Sequence, residues 1–491
     1  MNHRRFQRVS TGPERAWAET GARERANSHE EPLMTTLKTA YAAVAELGTG
    51  FSGQLLQRGD AGYDEARRLH NGLIDKYPAL IARCRAVGDV VRAVSFAREH
   101  GLDLAIRGGG HNVAGQATVD GGLMLDLSLM KRIEVDAQRG IAVAQGGVTW
   151  AELNAATQQH GLATTGGIVS STGIGGLTLG GGIGWLMGRY GLAADNLLAV
   201  ELVTADGRVL SVSAREHADL FWALRGAGGN FGVAASLTFR LHRVGPTVFG
   251  GLVAHPFERA RDVLRFYRDI TAVLPDELTT FAGLIHAPDG SGVKLAAILA
   301  AHCGDPDEAE AALRPIKEFG PPVMDAMGPI DYLALNGMLD AGFPRGALNY
   351  WKSSFLAGLG NDAIDAMIEC FARCPSSMSG MMLENLHGAV TRVGVTETAF
   401  PHRRRGYNLL VLSQWQDAAA SENNVAWARQ SHATMKPFLA RARYVNYLDQ
   451  DADPAQVATA FGPNYARLAE LKATYDPGNL FHLNQNIQPA I

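Results

Sequence analysis

Apolar and polar positions in the first half of this chain switch repeatedly between helical and strand spacing. An apolar stripe through Val87 and Val94 predicts a helix that ends at Gly101. The capping-box sequence at residues 149–152 predicts a second helix that reaches about residue 160. Short apolar runs predict strands at residues 104–106, 123–127, 141–144, 197–204, 208–212 and 234–241.

The second half of the chain has a different pattern, with longer strands and longer helices. Strands are predicted at residues 281–286, 293–299, 409–415 and 444–448, and helices at residues 306–319, 362–372 and 421–440. This order favours an antiparallel sheet that is covered by helices on one face. A helix at residues 465–475 and a turn at residues 476–479 follow near the end of the chain.

These patterns predict an α+β protein of two domains. We expect the first domain at residues 34–245 and the second at residues 246–450. The closing segment, residues 451–491, is expected to pack back on the first domain. Residues 1–33 are polar and rich in Arg and Glu, so we expect them to be disordered.

Composition and charge limit the classes of partner. The 491 residues are 46% hydrophobic and 19% charged, with a formal net charge of −4. A nearly balanced surface gives no reason to expect nucleic acid or an anionic membrane as partner. No export signal and no apolar run of membrane-spanning length is present, which predicts a cytoplasmic protein. The four cysteines form no C-x-x-C pair, so no metal site is predicted.

Glycine clusters are the first sign of chemistry. Between residues 166 and 191, 11 of 26 residues are glycine. The run at residues 173–182 is too rich in glycine for a helix interior or a regular strand, so it predicts turns or a segment against something flat. Backbone N–H groups of such loops can approach a phosphate closely. With the loop at residues 108–110, the pattern favours a ligand with a diphosphate and a long body. The alternative is that these glycines only form structural turns.

Two side chains beside the first glycine loop extend this interpretation. Arg107 would bring a fixed positive charge suited to a diphosphate. His111 follows the three glycines, and a neutral imidazole is a nucleophile that can bond an electrophilic carbon of a cofactor. The alternative for His111 is a structural loop residue.

Five segments carry a family resemblance: residues 107–112 (RGGGHN), 166–184 (GGIVSSTGIGGLTLGGGIG), 191–196 (GLAADN), 220–232 (LFWALRGAGGNFG) and 479–487 (NLFHLNQNI). In this order they resemble the berberine-bridge-enzyme-like FAD-linked oxidases of the vanillyl-alcohol oxidase superfamily. Within that group the chain resembles a bacterial member. The resemblance implies a PCMH-type FAD-binding domain at residues 34–245 and a substrate-binding domain at residues 246–450.

The resemblance also implies how FAD is held. In this family the His of the RGGGH-type motif bonds the 8α-methyl of the flavin, which corresponds to His111. Many members add a second bond from a Cys at the position that Val169 occupies here, so a single covalent link is expected. The residues expected to bind the cofactor are Arg107, Gly108, Gly109, Gly110, His111, Asn112, Gly166, Thr172, Gly173, Gly175, Gly176, Gly180, Gly181, Gly182, Asn230, Gly232, Val233, Asn484 and Asn486.

Catalysis requires a group that takes a proton as a hydride leaves the substrate. The resemblance assigns this to a tyrosine of the Y-x-N-Y motif, here Tyr444, Asn446 and Tyr447. On a strand Tyr444 and Asn446 share one face, so the geometry favours Tyr444, with Tyr447 as a near-equal candidate. Glu384 and His387 are alternative bases.

A cationic neighbour would help a tyrosine to act as a base near neutral pH. One of Arg403, Arg404 and Arg405 could supply that charge, although a solvated basic turn is the simpler interpretation.

The favoured interpretation is an oxidase that passes hydride from a small organic substrate to FAD. The reduced flavin is then reoxidised by O2, which becomes H2O2. In relatives the residue before the first glycine of the G-x-G-G run flanks the flavin, and Thr172 is similar in volume to the valine associated with oxygen use. The alternatives are a flavin dehydrogenase with another acceptor and a non-catalytic flavin-binding or drug-binding protein. Met378, Met381 and Met382 could line an apolar substrate pocket or belong to the core.

Overall fold

The computed structural model describes residues 47–491, of which Phe51–Ile491 form one compact unit. The expectation of disorder at residues 1–33 lies outside the described residues.

Two sheets build the first part of this unit. One has the strand order Gln54–Leu56, Leu80–Arg83, Leu123–Asp126, Leu104–Arg107, of which the first pair is antiparallel and the others are parallel. The other is antiparallel, with the order Ile133–Asp136, Ile141–Gln145, Val233–Arg240, Leu197–Val203, Val209–Ser213. A short pair joins Leu162–Ala163 to His242–Arg243. The strands predicted for this half of the chain are confirmed.

An eight-stranded antiparallel sheet forms the second part, as the sequence predicts. Its order is Met324–Asp325, Thr247–Pro256, Lys294–His302, Leu278–His286, Gly380–Leu386, Gly406–Trp415, Leu348–Phe355, and Gly328–Asp331 also pairs with Thr247–Pro256. Four helices, Ala260–Thr271, Pro306–Lys317, Asn361–Ala372 and Ser421–Met435, pack against it.

The remaining helices of the described chain are short or belong to the first part and the closing segment. The α-helices are Tyr63–Arg67, Val87–Glu99, Trp150–Gln158, Ile174–Leu179, Met187–Tyr190, Ala218–Leu224, Tyr332–Gly337, Pro454–Phe461 and Tyr465–Tyr475. The 3-10 turns are Ala193–Asn196, Phe257–Arg259, Asp340–Gly342, Gly388–Arg392, Ala418–Ala420, Lys436–Phe438, Val445–Tyr447 and Gly462–Asn464. The predicted capping box is present, since Thr149 and Glu152 cap each other at the start of Trp150–Gln158.

Strand alternation decides what each face of the eight-stranded sheet presents. On Gly380–Leu386, Met381 and Leu383 are fully buried in the core beneath the helices. Met382 and Glu384 point to the opposite face, because successive side chains of a strand alternate. One face of the sheet is therefore helix-covered core, and the other is available for a binding site.

The glycine-rich run at residues 173–182 differs from its prediction. Ile174–Leu179 is a helix, although it contains two glycines. Ile174 and Leu179 are 0% and 5% exposed, within the core of the first part. Burying such side chains stabilises by about 1.5–3 kcal/mol each. This exceeds the helix penalty of about 1 kcal/mol for each glycine, so tertiary packing outweighs propensity.

The predicted strand at residues 444–448 is also wrong. Val445–Tyr447 forms a 3-10 turn, in which the N–H of Tyr447 donates to the carbonyl of Tyr444 at 3.0 Å. The alternation of a strand therefore does not apply to the Tyr444–Tyr447 motif.

Candidate active site

A cavity of about 770 Å³ lies where the three sheets and the closing segment meet. The predicted site residues that line it are Gly108, Gly109, Gly110, His111, Asn112, Thr172, Gly173, Gly175, Gly176, Gly232, Asn446, Tyr447 and Asn484. The predicted residues outside its lining are Arg107, Gly166, Gly180, Gly181, Gly182, Asn230, Val233, Tyr444 and Asn486.

One half of the cavity wall is mainly glycine backbone. The two predicted loops touch, because a methyl group built on Gly109 would lie 2.3 Å from the backbone nitrogen of Gly173. On the wall itself, a methyl group built on Gly176, Gly228 or Gly229 would meet no protein atom within 4 Å. Glycine therefore keeps this wall flat and lets a ligand approach the backbone. A flat, extended cofactor such as FAD fits this half.

His111 stands at the edge of the glycine wall. Its Nε2 lies 3.0 Å from the hydroxyl of Ser171, and its Nδ1 lies 3.4 Å from that of Thr172. Its ring stacks on that of His70, with centroids 4.0 Å apart. Burial, with the nearby His70, lowers the pKa of His111 to about 3. The imidazole is thus neutral at physiological pH, which is the nucleophilic form.

Arg107, which was expected to face a diphosphate, lies outside the cavity lining. It lies opposite Asp126 on the neighbouring strand, with its Nε 3.7 Å from Asp126 Oδ1, and it also donates to the carbonyl of Ala66. Asp126 also pairs with Arg83 at 3.2 Å, so two arginines share this one carboxylate. Among the described residues that line the cavity there is no Lys or Arg. A diphosphate would therefore be bound by backbone N–H groups and neutral side chains such as that of Asn112.

The closing segment contributes the polar rim of the cofactor half. Asn484 and Gln485 line the cavity together with Gln116, whose side chain donates to the carbonyl of Asn484 at 2.8 Å. Asn484 Oδ1, Gln485 Nε2 and Gln116 Oε1 are buried and have no partner within the described protein. Such atoms cost stability unless a partner is supplied. The donors and acceptors of a flavin ring would fit them.

Several other predicted cofactor residues support the wall from behind. Asn230 is fully buried, and its amide donates to Gln485 O and accepts from Ile487 N. Gly180 and Gly181 lie so close to Asn446 and Phe400 that a methyl group there would overlap them. Gly182 packs against Ala193, Gly166 packs against Trp150, Val233 pairs with Val203 in a strand, and Asn486 Oδ1 is a buried atom without a partner.

The other half of the cavity, the substrate half, carries a hydrogen-bonded pair, Tyr447 and Glu384. The hydroxyl of Tyr447 donates to Glu384 Oε1 at 2.8 Å, and the Asn408 amide donates to Oε2 at 2.8 Å. Glu384 is only 3% exposed, and burial raises its pKa to about 7. Burial and the adjacent Glu384 raise the pKa of Tyr447 well above its usual value. At neutral pH the carboxyl of Glu384 is the group of this pair that can exchange a proton.

Tyr444, the favoured tyrosine of the sequence prediction, lies outside the cavity lining. Its hydroxyl accepts from Gly182 N at 3.0 Å and from the Asn446 amide at 2.9 Å. Burial raises its pKa to about 12. The prediction relied on strand geometry, and the 3-10 turn instead brings Asn446 and Tyr447 to the wall.

The alternative base and the proposed cationic neighbours are also elsewhere. His387 is buried outside the lining, with Nε2 3.4 Å from the carbonyl of Pro275. Arg403 forms two hydrogen bonds of 2.7 Å with Asp195. Arg405 donates to backbone carbonyls at the end of Ala260–Thr271, so neither of these arginines supplies a charge to the tyrosines.

The wall around Glu384 is mostly apolar and aromatic. Its larger side chains are Phe281, Met338, Phe343, Trp351, Met378 and Met382, whereas Met381 belongs to the core. Among the described lining residues Glu384 is the single carboxylate. Within the described chain, no group of three or more His, Cys, Asp or Glu side chains could hold a metal ion.

Comparisons with known proteins agree with this geometry. The family described as FAD binding domain matches residues 78–213, and the family described as berberine and berberine like matches residues 443–488. (R)-6-Hydroxynicotine oxidase of Paenarthrobacter nicotinovorans is 32% identical, over 89% of this chain and 97% of that protein. The chain belongs to the berberine-like FAD-linked oxidoreductases.

Other relatives place this FAD-linked oxidoreductase in the same group. An FAD-linked oxidoreductase of Dictyostelium discoideum is 30% identical over 92% of this chain and 98% of its own length. The crystal structure of 6-hydroxy-D-nicotine oxidase from Arthrobacter nicotinovorans superposes with a TM-score of 0.82, at 29% identity, over 90% of this chain and 98% of that one. The PCMH-type α+β fold and the assignment as an FAD-dependent enzyme follow.

Sequence reasoning missed part of the site of this FAD-linked oxidoreductase. Gly228 and Gly229 line the wall, and their glycine cluster was the available signal. His70, Gln116 and Trp351 also line it. No motif in the sequence distinguishes these three. No helix of the described residues is both long and apolar enough to cross a membrane.

Proposed function

We propose that this FAD-linked oxidoreductase holds FAD by one covalent bond from His111 and oxidises a small apolar substrate, with dioxygen as electron acceptor. One observation carries the proposal. A single cavity joins His111, the glycine wall and the Tyr447–Glu384 pair. The neutral imidazole of His111 supports the covalent link, and Val169 on the wall supports a single link.

Four side chains of the substrate half have different roles in the proposed reaction. When bound, FAD would accept a hydride from the substrate. Tyr447 would hold the substrate hydroxyl or amine by a hydrogen bond, and Glu384 would take the proton through the 2.8 Å bond between them. Asn408 orients the Glu384 carboxylate, and Asn446 lies beside Tyr447 on the wall.

The walls support a largely apolar substrate whose polar group is neutral or cationic. An anionic substrate would lack a cationic side chain among the described lining residues and would face Glu384. An oligosaccharide would leave many hydroxyl groups against Phe281, Trp351 and Met382 without partners. Aromatic alcohols and amines avoid both costs.

Dioxygen is proposed as acceptor because Thr172 flanks His111 and has the volume of a valine. The proposed domains remain residues 34–245, 246–450 and 451–491. A bacterial source and a cytoplasmic location also remain predictions.

The test is a two-step flavin titration. Under nitrogen, the purified enzyme is mixed with (R)-6-hydroxynicotine, an aromatic alcohol or a chitooligosaccharide, and the visible flavin absorbance is followed. We expect an aromatic compound to bleach the flavin, the sugar not to, and admitted air to restore the absorbance with one hydrogen peroxide per cycle. Flavin that stays reduced in air would favour the dehydrogenase. Flavin that only dithionite reduces would favour a non-catalytic binding protein.

A further inference from the structure

His70 lies directly against His111, yet none of the roles above requires it. The two imidazole rings stack with centroids 4.0 Å apart and planes inclined by 27°. The Ser171 hydroxyl contacts another edge of the His111 ring, 3.0 Å from Nε2. The Thr172 hydroxyl lies 3.4 Å from Nδ1, so one face and both ring nitrogens of His111 have neighbours.

His70 is itself held by three hydrogen bonds. Its backbone N–H donates to the carbonyl of Gly110 at 3.0 Å, and its carbonyl accepts from the N–H of Gly346 at 2.9 Å. Its ring Nε2 lies 3.0 Å from the carbonyl of Phe343. Because a carbonyl can only accept, Nε2 must carry a proton. The ring is thus fixed between the glycine loop and a loop of the second domain.

The surroundings keep His70 uncharged. Burial lowers its pKa, and so does the nearby Arg345. A neutral ring can stack closely on the neutral His111, whereas two charged rings at 4.0 Å would repel.

We propose that His70 is a positioning residue for the attachment of FAD, whose imidazole holds the His111 ring in the orientation from which it bonds the flavin. The inference rests on the proposed covalent link. Restricting the rotation of a reacting group lowers the entropic part of the barrier, and small misplacements can slow a reaction about a hundredfold.

The attachment reaction is balanced without His70 as a reactant. A ring nitrogen of His111 forms a bond to the methyl carbon of the flavin. The methyl carbon loses one hydrogen and the imidazole loses the proton of its other ring nitrogen. The flavin ring takes up two protons and the two electrons of the broken C–H bond. Dioxygen then accepts these two electrons and two protons and becomes hydrogen peroxide. His70 only limits the rotation of the reacting ring.

The test follows attachment itself and not turnover. Wild-type protein, His70→Ala and His70→Phe are purified and incubated with FAD in air, and flavin that stays with acid-precipitated protein is measured over time. We expect His70→Ala to slow attachment at least about tenfold. We expect His70→Phe to restore most of the rate, because a phenyl ring keeps the stacking face.

A double-variant cycle separates positioning from direct contact, since His70 also lines the cavity. In a His111→Ala background, His70→Ala should leave the noncovalent affinity for FAD unchanged within about twofold. Equal attachment rates in wild type and His70→Ala would overturn the inference. A large loss of noncovalent affinity in the His111→Ala background would also overturn it, because His70 would then hold the cofactor itself. No acid-stable flavin in the wild type would overturn the proposed covalent link, and the inference with it.

Discussion

The two halves of the cavity differ in what lines them, which is mainly backbone in one half and side chains in the other. The cofactor half presents glycine backbone, as at Gly176 and Gly228, and no Lys or Arg lies among its described lining residues. The substrate half presents side chains from alternate positions of long strands, such as Glu384 and Trp351. A backbone wall can hold a cofactor of fixed shape, whereas a side-chain wall can change with substrate while the fold stays the same. Substitutions in the cofactor half should therefore change FAD binding, and substitutions in the substrate half should change turnover.

The largest separation is expected at Glu384. Glu384→Gln keeps the size of the side chain but cannot take a proton, so kcat should fall by about 10²–10⁴-fold. The flavin content should be unchanged, because the carboxyl lies on the substrate half. The measurement is the anaerobic flavin reduction rate beside the flavin-to-protein ratio. Turnover at the wild-type rate would remove Glu384 from the mechanism, and a comparison with Tyr447→Phe would then show whether the tyrosine acts alone.

Stability should depend strongly on the buried pair that anchors the closing segment. Lys472 Nζ lies 2.6 Å from Asp476 Oδ2, with both side chains at most 1% exposed, and it also donates to Asn230 O and Phe481 O. Lys472→Met leaves a buried carboxylate unpaired and should lower the free energy of unfolding by about 3–5 kcal/mol. The fraction of chains that acquire flavin should fall with it, because Phe481 lines the cofactor half.

A matched control for this variant is an exposed pair. Lys131 and Glu152 are 2.6 Å apart and 38% and 42% exposed. Lys131→Met should cost no more than about 1 kcal/mol. Similar losses in chemical denaturation for both variants would contradict a special role for the buried pair.

The pH dependence should report Glu384. Burial raises its pKa to about 7. Turnover needs the ionised carboxylate, so the reduction rate should rise about tenfold per pH unit below pH 7 and become level above it. The free energy of unfolding depends on pH with the opposite sign to the reduction rate. Between its usual pKa and pH 7 the folded state binds the extra proton, so Glu384 makes folding less favourable as pH rises. Glu384→Gln should remove both effects, and a profile that Glu384→Gln leaves unchanged would contradict this assignment.

The smallest expected effect tests the backbone wall. Gly176→Ala adds a methyl group that meets no protein atom within 4 Å, inside a helix. The protein without cofactor should gain up to about 1 kcal/mol of stability, since alanine favours helix over glycine. In a His111→Ala background, where FAD is held noncovalently, FAD binding should weaken about tenfold, because about 1.4 kcal/mol of contact is lost. Gly88→Ala, at an exposed helical glycine that also has no neighbours, is the control and should gain stability without losing FAD. Unchanged FAD affinity in Gly176→Ala would show that the wall does not contact the cofactor.

The glycine loops that line the cofactor half could be predicted from the sequence, because glycines in clusters have few structural uses. The exceptions arose from long-range packing. Arg107 was expected to meet a diphosphate, but its partner Asp126 becomes visible only when the strands are paired. The helix Ile174–Leu179 was missed because buried contacts outweigh local propensity.

The substrate half was less predictable. The Tyr444–Tyr447 motif was found, but the strand geometry that favours Tyr444 does not apply. The backbone is a 3-10 turn, and of the two tyrosines Tyr447 lines the cavity. Glu384 was named only as an alternative, since its raised pKa depends on burial that the sequence does not show. His70 was missed because it lies far from His111 in the chain and meets it only in the fold.

The most direct test of the account is where the flavin goes when the protein is precipitated with acid. Wild-type protein should carry about one flavin per chain into the pellet, because one nucleophilic His111 lies on the wall. His111→Ala should release its flavin into the supernatant. His402→Gln, at another half-buried neutral histidine outside the cavity lining, should behave like the wild type. Flavin released from the wild type, or retained by His111→Ala, would contradict the single covalent link through His111.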